Sequence, residues 1–219
     1  RAKPNVIVIG EPGVGKTAVV NGFIQELADN HIEGTLKGAR IFELDLGELI
    51  AGASYKGEVE DRLKKIIKEI KQFEKAILFI DEIHALIDKY GGASGAANLL
   101  KPELARGEIT IIGTTSLDNY AKHVESDDAF NRRFETIKLD EPDPEMASRM
   151  LTGIMPHFEK HHHLAVDPEV IKEAIRFSKR YNKERKLPDS ALDLLDRTMA
   201  VVRMTGETSE ADVRALHEK

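Results

Sequence analysis

A glycine-rich segment near the start of the chain contains the residues needed to hold phosphate groups. It reads Gly10-Glu11-Pro12-Gly13-Val14-Gly15-Lys16-Thr17 and fits the pattern G-x-x-x-x-G-K-[ST]. Glycines let backbone N–H groups converge on an anion, and a helix N-terminus adds partial positive charge. We predict that residues 10–17, with Ala18 after them, bind a nucleotide. In this interpretation Lys16 contacts its β- and γ-phosphates, and the Thr17 hydroxyl is a ligand of Mg²⁺.

Two adjacent carboxylates form the second group of residues that could do chemistry. Asp81 and Glu82 follow the apolar segment Ile77-Leu78-Phe79-Ile80. A strand that ends in this way delivers both carboxylates to the carboxyl edge of a sheet, beside the phosphate loop. We predict that Asp81 completes the Mg²⁺ shell and that Glu82 orients or polarises an attacking water. The alternative, an ordinary acidic loop after a strand, is weakened by the phosphate loop upstream.

The elements that must position these residues alternate between strands and helices. Short apolar runs predict strands at 6–9, 40–45, 76–80, 109–113 and 136–139. Helical spacing of apolar residues predicts helices over 17–28 and 58–75. Strands that alternate with helices predict an α/β fold whose parallel sheet is covered on both faces.

Beyond residue 141 the strand pattern stops and the sequence predicts helices alone. Asp143-Pro144 and Asp167-Pro168 each fit an N-cap followed by proline in the first turn, and Pro188-Asp189 fits the start of another helix. We predict a nucleotide-binding α/β domain at 1–142 and a small helical lid at 143–205. Residues 206–219 are predicted to be the start of a truncated helical element.

Composition excludes several classes of protein. The chain has 219 residues, 41% of them hydrophobic and 32% charged, which is typical of a folded domain. It has no cysteine, which excludes a disulfide scaffold and a thiolate zinc site and fits a reducing compartment. The net charge of −6 argues against a nucleic-acid binder, and no apolar run approaches the roughly 20 residues of a membrane-spanning helix. Because Arg1 comes just before the first predicted strand, we expect a piece of a longer protein.

Several motifs occur in an order that resembles one protein family. They are the phosphate loop at 10–17, the segment 46–58, Asp81-Glu82-Ile83-His84, the segment 100–108, Gly113-Thr114-Thr115, Asn131-Arg132-Arg133-Phe134 and Leu187-Pro188-Asp189. Together they resemble the first ATPase ring of the Clp unfoldases, a branch of the AAA+ proteins. The resemblance implies a five-stranded parallel sheet of order 5-1-4-3-2, a helical lid, and a cytoplasmic homo-hexamer with ATP or ADP between subunits.

The resemblance also implies roles for individual residues. Thr115 resembles the sensor of the γ-phosphate or attacking water, and Arg132 and Arg133 resemble arginine fingers that reach a neighbour's ATP. Tyr55 and Lys56 resemble the central-channel loop that grips a threaded polypeptide. In the lid, Leu151 and Pro188 are expected to touch the base.

Three features depart from the family pattern or invite another interpretation. The segment 91–95 lies where the family has a second channel loop and is shorter than the resemblance implies. Ser190 replaces a lysine that the family commonly has in the lid, which puts a cationic lid contact to phosphate in doubt. His157 and the run 161–163 could suggest a metal site, but we expect them to be structural because carboxylate or cysteine partners are not evident.

The function implied by the resemblance is ATP-driven unfolding and translocation of proteins. Residues 52–54, 56–57, 96–100 and 194–196 favour the ClpV branch, which dismantles contracted type VI secretion sheaths, whereas Tyr55 fits the other branches equally well. The alternatives are a ClpB-like disaggregase, a ClpA- or ClpC-like partner of a protease, and an ATP-binding scaffold without mechanical work. A helicase fits poorly, because the basic and aromatic surfaces of nucleic-acid binders are not evident and only one nucleotide core is present.

Overall fold

The computed structural model describes residues 5–29, 31–53, 56–87 and 96–217. Tyr55 and the segment 91–95 lie outside the described residues. The chain divides into two compact units, one formed by residues 1–10 and 16–139 and the other by residues 11–15 and 140–219. We call them the sheet unit and the helical unit.

The sheet unit alternates strands and helices, as the sequence predicts. Its strands are β1 (Asn5–Ile9), β2 (Arg40–Glu43), β3 (Ala76–Ile80), β4 (Thr110–Thr115) and β5 (Phe134–Lys138). Its helices are α1 (Lys16–Ala28), α2 (Leu46–Ile50), α3 (Lys56–Ile70), α4 (His84–Ile87), α5 (Ala96–Arg106), α6 (Leu117–Asn119) and α7 (Asp128–Asn131). A 3-10 turn covers Gly34–Leu36, and a π-helical turn covers Tyr120–Glu125.

All five strands run parallel, in the order β2-β3-β4-β1-β5. The predicted order 5-1-4-3-2 is therefore confirmed. The inner strand β3 is buried at every residue, as expected of a strand covered on both faces, whereas the edge strand β5 is buried only at Phe134. Several predicted boundaries shift. Strand β2 ends at Glu43 and not at residue 45, β4 continues through Thr114 and Thr115 where the apolar run ends, and β5 begins at Phe134, two residues earlier than predicted.

A buried asparagine fixes the start of the central strand against both neighbours. Asn5 is 1% exposed. Its Oδ1 accepts from the N–H of Ile111 at 2.9 Å, and its Nδ2 donates to the carbonyl of Arg133 at 3.0 Å. Because both side-chain atoms are paired, the residue carries no penalty for an unsatisfied buried polar group. It therefore links β1 to β4 and to the residue before β5.

Helix α3 follows the predicted apolar stripe but ends at Ile70, before the predicted residue 75. Its side chains at 59, 63, 67 and 70 are buried in the main core. After the helix, Lys71 pairs with Glu103 of α5 and lies 2.5 Å from Glu108. The hydrogen bonds that Lys71 donates to these two carboxylates raise the pKa of Lys71, and the bond to Glu108 lowers the pKa of Glu108. The polar end of α3 is thus tied to α5 and the residues after it by charge.

The helical unit consists of α8 (Pro144–His162), α9 (Pro168–Tyr181) and α10 (Asp189–His217). The predicted N-caps form: the Asp143 side chain accepts from the N–H of Met146, and the Asp167 side chain accepts from the N–H of Glu169. The core of this unit is made by Ala147, Leu151, Met155, Ile171, Ala174, Ile175, Leu187, Ala191, Leu195 and Met199. Helix α10 continues through residue 206 without a break.

Within the described part of the chain, no helix has both the length and the apolar character needed to cross a bilayer.

Candidate active site

The phosphate loop lies between the end of β1 and the start of α1, as the motif predicts. Gly13 and Gly15 have φ angles of 90° and 96°, a region that side chains other than glycine rarely adopt. Lys16 is the first residue of α1, is largely buried, and donates from Nζ to the carbonyl of Gly10 at 3.1 Å. The 13-residue helix α1 thus begins directly after the loop in the sequence, and the partial positive charge of its N-terminus suits an anion.

Residues 11–15 group with the helical unit, and two backbone hydrogen bonds account for this. The N–H of Lys186 donates to the carbonyl of Pro12 at 3.1 Å, and the N–H of Asp189 donates to the carbonyl of Gly13 at 3.3 Å. A side chain at Gly13 would place its Cβ 2.9 Å from the carbonyl oxygen of Lys186. The motif glycine is thus required both by its φ angle and by close backbone approach.

The two lid residues expected to touch the base lie in the helical unit. Leu151 is fully buried in the core of that unit, and Pro188 is half-buried directly before α10. Their contact with a base stays a prediction.

The Thr17 hydroxyl and the Asp81 carboxylate lie together, as predicted. Thr17 Oγ1 donates to the carboxylate and is 3.2 Å from Oδ2 and 3.3 Å from Oδ1. Asp81 also accepts from the Thr114 hydroxyl, which is completely buried at the end of β4. A hydroxyl and a carboxylate are the hard oxygen ligands that Mg²⁺ prefers, so this pair of side chains suits that ion.

Glu82 has an unusual backbone conformation, with a φ angle of 50°. Such a conformation costs a non-glycine residue about 1–3 kcal/mol and persists only where neighbours enforce it. Here the Glu82 N–H donates to Thr114 Oγ1 at 3.1 Å and to Asp81 Oδ1 at 3.2 Å. The next N–H, of Ile83, donates to the Thr114 carbonyl at 3.0 Å. Thr114 therefore holds the turn that presents Glu82.

The imidazole of His84 lies between Thr115 and Glu82. The Thr115 side chain is completely buried, and its Oγ1 is 3.1 Å from Nδ1 of His84. The same Nδ1 is 3.0 Å from Oε2 of Glu82. On the other side of the ring, Nε2 is 3.0 Å from Nδ2 of Asn119. The structure thus brings together the predicted base and the predicted sensor.

Arg132 and Arg133 lie away from these carboxylates, at the other edge of the sheet. They precede β5, whose first residue pairs with Asn5 at the start of β1, whereas Asp81 and Thr115 lie at strand carboxyl ends. Five strand residues at about 3.3 Å each separate the two edges by about 16 Å, which exceeds the reach of one arginine side chain. Neither guanidinium can therefore serve the carboxylate pair of its own subunit.

The two arginines have different surroundings. The Arg132 side chain is 80% exposed and pairs with an exposed carboxylate, Asp128, at 3.3 Å. Arg133 is half-buried and donates from Nη1 to the carbonyl of Leu104 at 3.2 Å. Arg132 is therefore more accessible to a neighbouring molecule, and Arg133 contributes to packing within its own unit.

The segment predicted to grip a polypeptide is held at both flanks by Arg62 of α3. Nη1 donates to the carbonyls of Leu49 and Ala51 at 3.1 and 2.8 Å, and Nη2 donates to Glu58 at 2.7 Å. Ala51 precedes Tyr55, and Glu58 follows it. One side chain thus fastens the chain before and after this segment.

Of the lid histidines, His162 takes part in packing, whereas His157, His161 and His163 are exposed. His162 is largely buried, and its Nε2 lies 2.7 Å from Oδ1 of Asp196. His163 ends α8 in a left-handed conformation, with a φ angle of 57°. Among the residues that the structure describes, no group of three or more His, Asp or Glu side chains could hold a metal ion.

Four residues have roles that the sequence does not predict: Thr114, His84, Asn119 and Asn5. Thr114 and His84 lie inside motifs that the sequence shows. For Thr114, the signal is a hydroxyl next to the predicted sensor Thr115. Asn119 lies four residues beyond β4 in a helix of three residues, so no periodicity marks it. Asn5 is a polar residue at the start of an apolar strand, which is itself a signal of a specific hydrogen bond.

Family models match almost the whole described chain. Residues 6–139 match the ATPase family associated with various cellular activities (AAA), and residues 143–219 match the AAA lid domain. Among curated proteins, the chain is 46% identical over 221 aligned residues to the chaperone protein ClpB of Oceanobacillus iheyensis. It is 43% identical to the negative regulator of genetic competence ClpC/MecB of Bacillus subtilis. Each alignment covers 100% of this chain and 27% of the relative.

Solved structures of related proteins also resemble this chain. The chain superposes on the S. cerevisiae Hsp104–ADP complex with a TM-score of 0.90 and 41% identity, covering 100% of this chain and 31% of that one. It superposes on a closed state of Hsp104 with ATPγS and FITC-casein with a TM-score of 0.86 and 43% identity, covering 95% of this chain and 36% of that one. The chain thus spans about a third or less of the length of these relatives.

Proposed function

This chain belongs to the AAA ATPases, in their Clp-type branch, and from that premise we propose that its phosphate loop and the Asp81–Glu82 pair bind and hydrolyse ATP with Mg²⁺. The observation that carries the proposal is the contact of Thr17 Oγ1 with the Asp81 carboxylate, with Glu82 as the next residue. These side chains come from the helix after β1 and from the end of β3. Their contact brings a hydroxyl and two adjacent carboxylates from distant parts of the chain to one place, which supports a binding role.

Each residue has a distinct task in this proposal. Lys16 and the N–H groups of the phosphate loop neutralise the phosphates, while Thr17 and Asp81 hold Mg²⁺. When bound, Mg²⁺ neutralises charge that develops on the phosphate oxygens. The Glu82 carboxylate accepts a hydrogen bond from the attacking water and orients it. Thr115 supplies a fixed hydroxyl beside the same group.

Arginine from a neighbouring subunit completes the site in this proposal. The distance of about 16 Å between the two sheet edges supports action on a neighbour's nucleotide, because neither arginine reaches its own. Arg132 is the more exposed of the two and is the first candidate for the group that contacts the phosphate. This arrangement requires an adjacent subunit, and we propose that the subunits form a homo-hexamer.

Exchange of one carboxylate for its amide tests the hydrolytic role. In the full-length protein, Glu82→Gln keeps the shape of the side chain and loses its charge. ATP binding should therefore stay within about twofold of the wild type while turnover falls about 100-fold or more. Lys16→Ala is the matched comparison, because it should weaken nucleotide binding itself. Turnover of Glu82→Gln at the wild-type rate would remove Glu82 from the mechanism.

For the whole protein we propose ATP-driven unfolding of polypeptides that pass Tyr55 and Lys56 in a central channel. The relatives named above are ClpB and ClpC proteins, and one Hsp104 structure is named with casein. These names favour a ClpB-like disaggregase over the sheath-recycling function that the sequence motifs favoured. An aromatic side chain suits a sequence-tolerant grip because it contacts many chains without specific hydrogen bonds. A cytoplasmic location and the absence of nucleic acid as a partner stay predictions.

A substrate comparison separates these possibilities. The full-length protein should release soluble enzyme from heat aggregates in the presence of ATP, and Tyr55→Ala should lose this activity while its basal ATP turnover changes less than about twofold. Stimulation by a contracted two-protein sheath, with no activity on aggregates, would restore the sheath function. Unfolding at the wild-type rate by Tyr55→Ala would contradict the channel role.

A further inference from the structure

The sheet unit contains an imidazole that contacts two of the predicted catalytic residues, Glu82 and Thr115. His84 begins α4, three residues after Asp81, and its side chain is 20% exposed. Its Nδ1 lies 3.0 Å from Oε2 of Glu82 and 3.1 Å from Oγ1 of Thr115. A single ring atom is thus within hydrogen-bond distance of the predicted base and of the predicted sensor.

The far side of the ring is fixed by an amide. Nε2 of His84 lies 3.0 Å from Nδ2 of Asn119. An amide nitrogen only donates, so Nε2 accepts and the ring proton of a neutral imidazole lies on Nδ1. His84 therefore presents one N–H to two oxygen atoms, the Glu82 carboxylate and the Thr115 hydroxyl. When Nδ1 donates to Thr115, the hydroxyl proton of Thr115 points to another partner.

We propose that His84 is a positioning residue for ATP hydrolysis, which holds the Glu82 carboxylate and the Thr115 hydroxyl at a common distance from one N–H. This inference rests on the proposed hydrolytic role of Glu82. The Glu82 side chain is about half exposed and has rotamers that point into solvent, so a fixed donor restricts it. A hydrogen bond to the ring of His84 restricts the Glu82 side chain to one rotamer. The ring is itself held by Asn119 and by its place at the start of α4.

Two amide substitutions separate the two sides of the ring. In asparagine the side-chain amide occupies the place of Cγ and Nδ1, whereas in glutamine it extends to the place of Nε2. His84→Asn therefore keeps a donor toward Glu82 and Thr115, and His84→Gln keeps a polar group toward Asn119 only. His84→Ala removes both. Neighbouring His123, whose ring centre is 6.0 Å from that of His84, offers a matched control in His123→Asn.

The test measures ATP turnover and nucleotide affinity of these variants in the full-length protein. We expect His84→Ala and His84→Gln to lower kcat about 10- to 100-fold with KM for ATP changed less than about threefold. His84→Asn should keep kcat within about fivefold of the wild-type value, and the control His123→Asn should have the wild-type kcat. Unchanged affinity for fluorescent ADP verifies that each variant retains the folded nucleotide site.

The outcomes separate this inference from the proposed function. If Glu82→Gln abolishes turnover while His84→Ala keeps the wild-type kcat, the positioning role is wrong and the hydrolytic site stands. If His84→Gln recovers kcat as well as His84→Asn does, the contact with Glu82 and Thr115 is not the one that matters, and the inference is also wrong. If Glu82→Gln itself retains full turnover, the proposed function fails first.

Discussion

Thr114 offers a direct test of how the sheet presents the carboxylates of Asp81 and Glu82. Its buried hydroxyl donates to the Asp81 carboxylate and accepts from the N–H of Glu82. Thr114→Val keeps the shape of the side chain and removes both hydrogen bonds. The bond to the carboxylate is worth about 1.5–3 kcal/mol and the bond from the N–H about 1 kcal/mol. An additional buried methyl group offsets about 0.8 kcal/mol, so we expect a loss of about 2–3 kcal/mol in the free energy of unfolding.

The same substitution should affect hydrolysis, because Thr114 holds Glu82 at a positive φ angle. That conformation costs about 1–3 kcal/mol, and it must then be maintained by the bond from the Glu82 N–H to Asp81 and the backbone bond from the Ile83 N–H to the carbonyl of residue 114. Once the turn relaxes, the carboxylate leaves its place, and we expect kcat to fall about 100-fold.

Urea unfolding followed by circular dichroism, together with ATP turnover, measures both effects. Thr114→Ser keeps the hydroxyl and loses a methyl group, so it should cost about 1 kcal/mol and retain most of kcat. Thr110→Val, at the start of the same strand, controls for the exchange of threonine for valine. If Thr114→Ser loses as much activity as Thr114→Val, or if Thr114→Val unfolds and hydrolyses like the wild type, the hydroxyl does not hold the turn.

Three further predictions address other parts of the chain. Gly13→Ala should weaken ATP binding at least about tenfold in equilibrium titrations, because a strained φ angle costs about 1–2 kcal/mol and its Cβ would meet a backbone carbonyl; binding at wild-type affinity would contradict this. Arg132→Ala should impair turnover more than Arg133→Ala, and its subunits should regain activity when mixed with Lys16→Ala subunits; well-formed mixed rings without activity would argue against action on a neighbour. The pKa of Glu108 lies below its ordinary value of 4.5, so the carboxylate of Glu108 stabilises the fold above pH 4.5 and this stabilisation is lost as pH falls through the lowered pKa. The free energy of unfolding of Glu108→Gln should therefore fall less on acidification than that of the wild type, and equal losses would refute the contribution of Glu108.

The parts of the fold that could be predicted from the sequence are those that depend on local patterns. The phosphate loop is recognised from the fixed spacing of its glycines and lysine, and the strands are recognised from short apolar runs. The N-caps Asp143 and Asp167 are recognised because each precedes a proline. All of these signals lie within short segments of the chain. The contacts of Thr114 with Asp81 and of Asn119 with His84 join residues 33 and 35 positions apart. Such contacts depend on the order of strands in the sheet, and a single sequence gives that order only through the family resemblance.

The helix boundaries show the same division between local and distant causes. The prediction extended α3 to residue 75 because the apolar stripe continues to Phe73. The helix ends at Ile70, and the Phe73 ring packs on Phe42 of β2, with ring centres 5.0 Å apart. An apolar residue thus serves the core from a turn, which periodicity alone does not distinguish from a helix.

The link from Asn5 to its two partners has a consequence for how the chain folds. These partners lie 106 and 128 residues further along the chain, and β1 has no neighbour closer in sequence. Closing a loop of about 100 residues costs about 4 kcal/mol of chain entropy before the strand gains any pairing. The phosphate loop is synthesised before β4, yet β1 cannot enter a sheet until β4 has been made. Nucleotide added during synthesis or refolding therefore stabilises the finished unit and does not hasten its first steps.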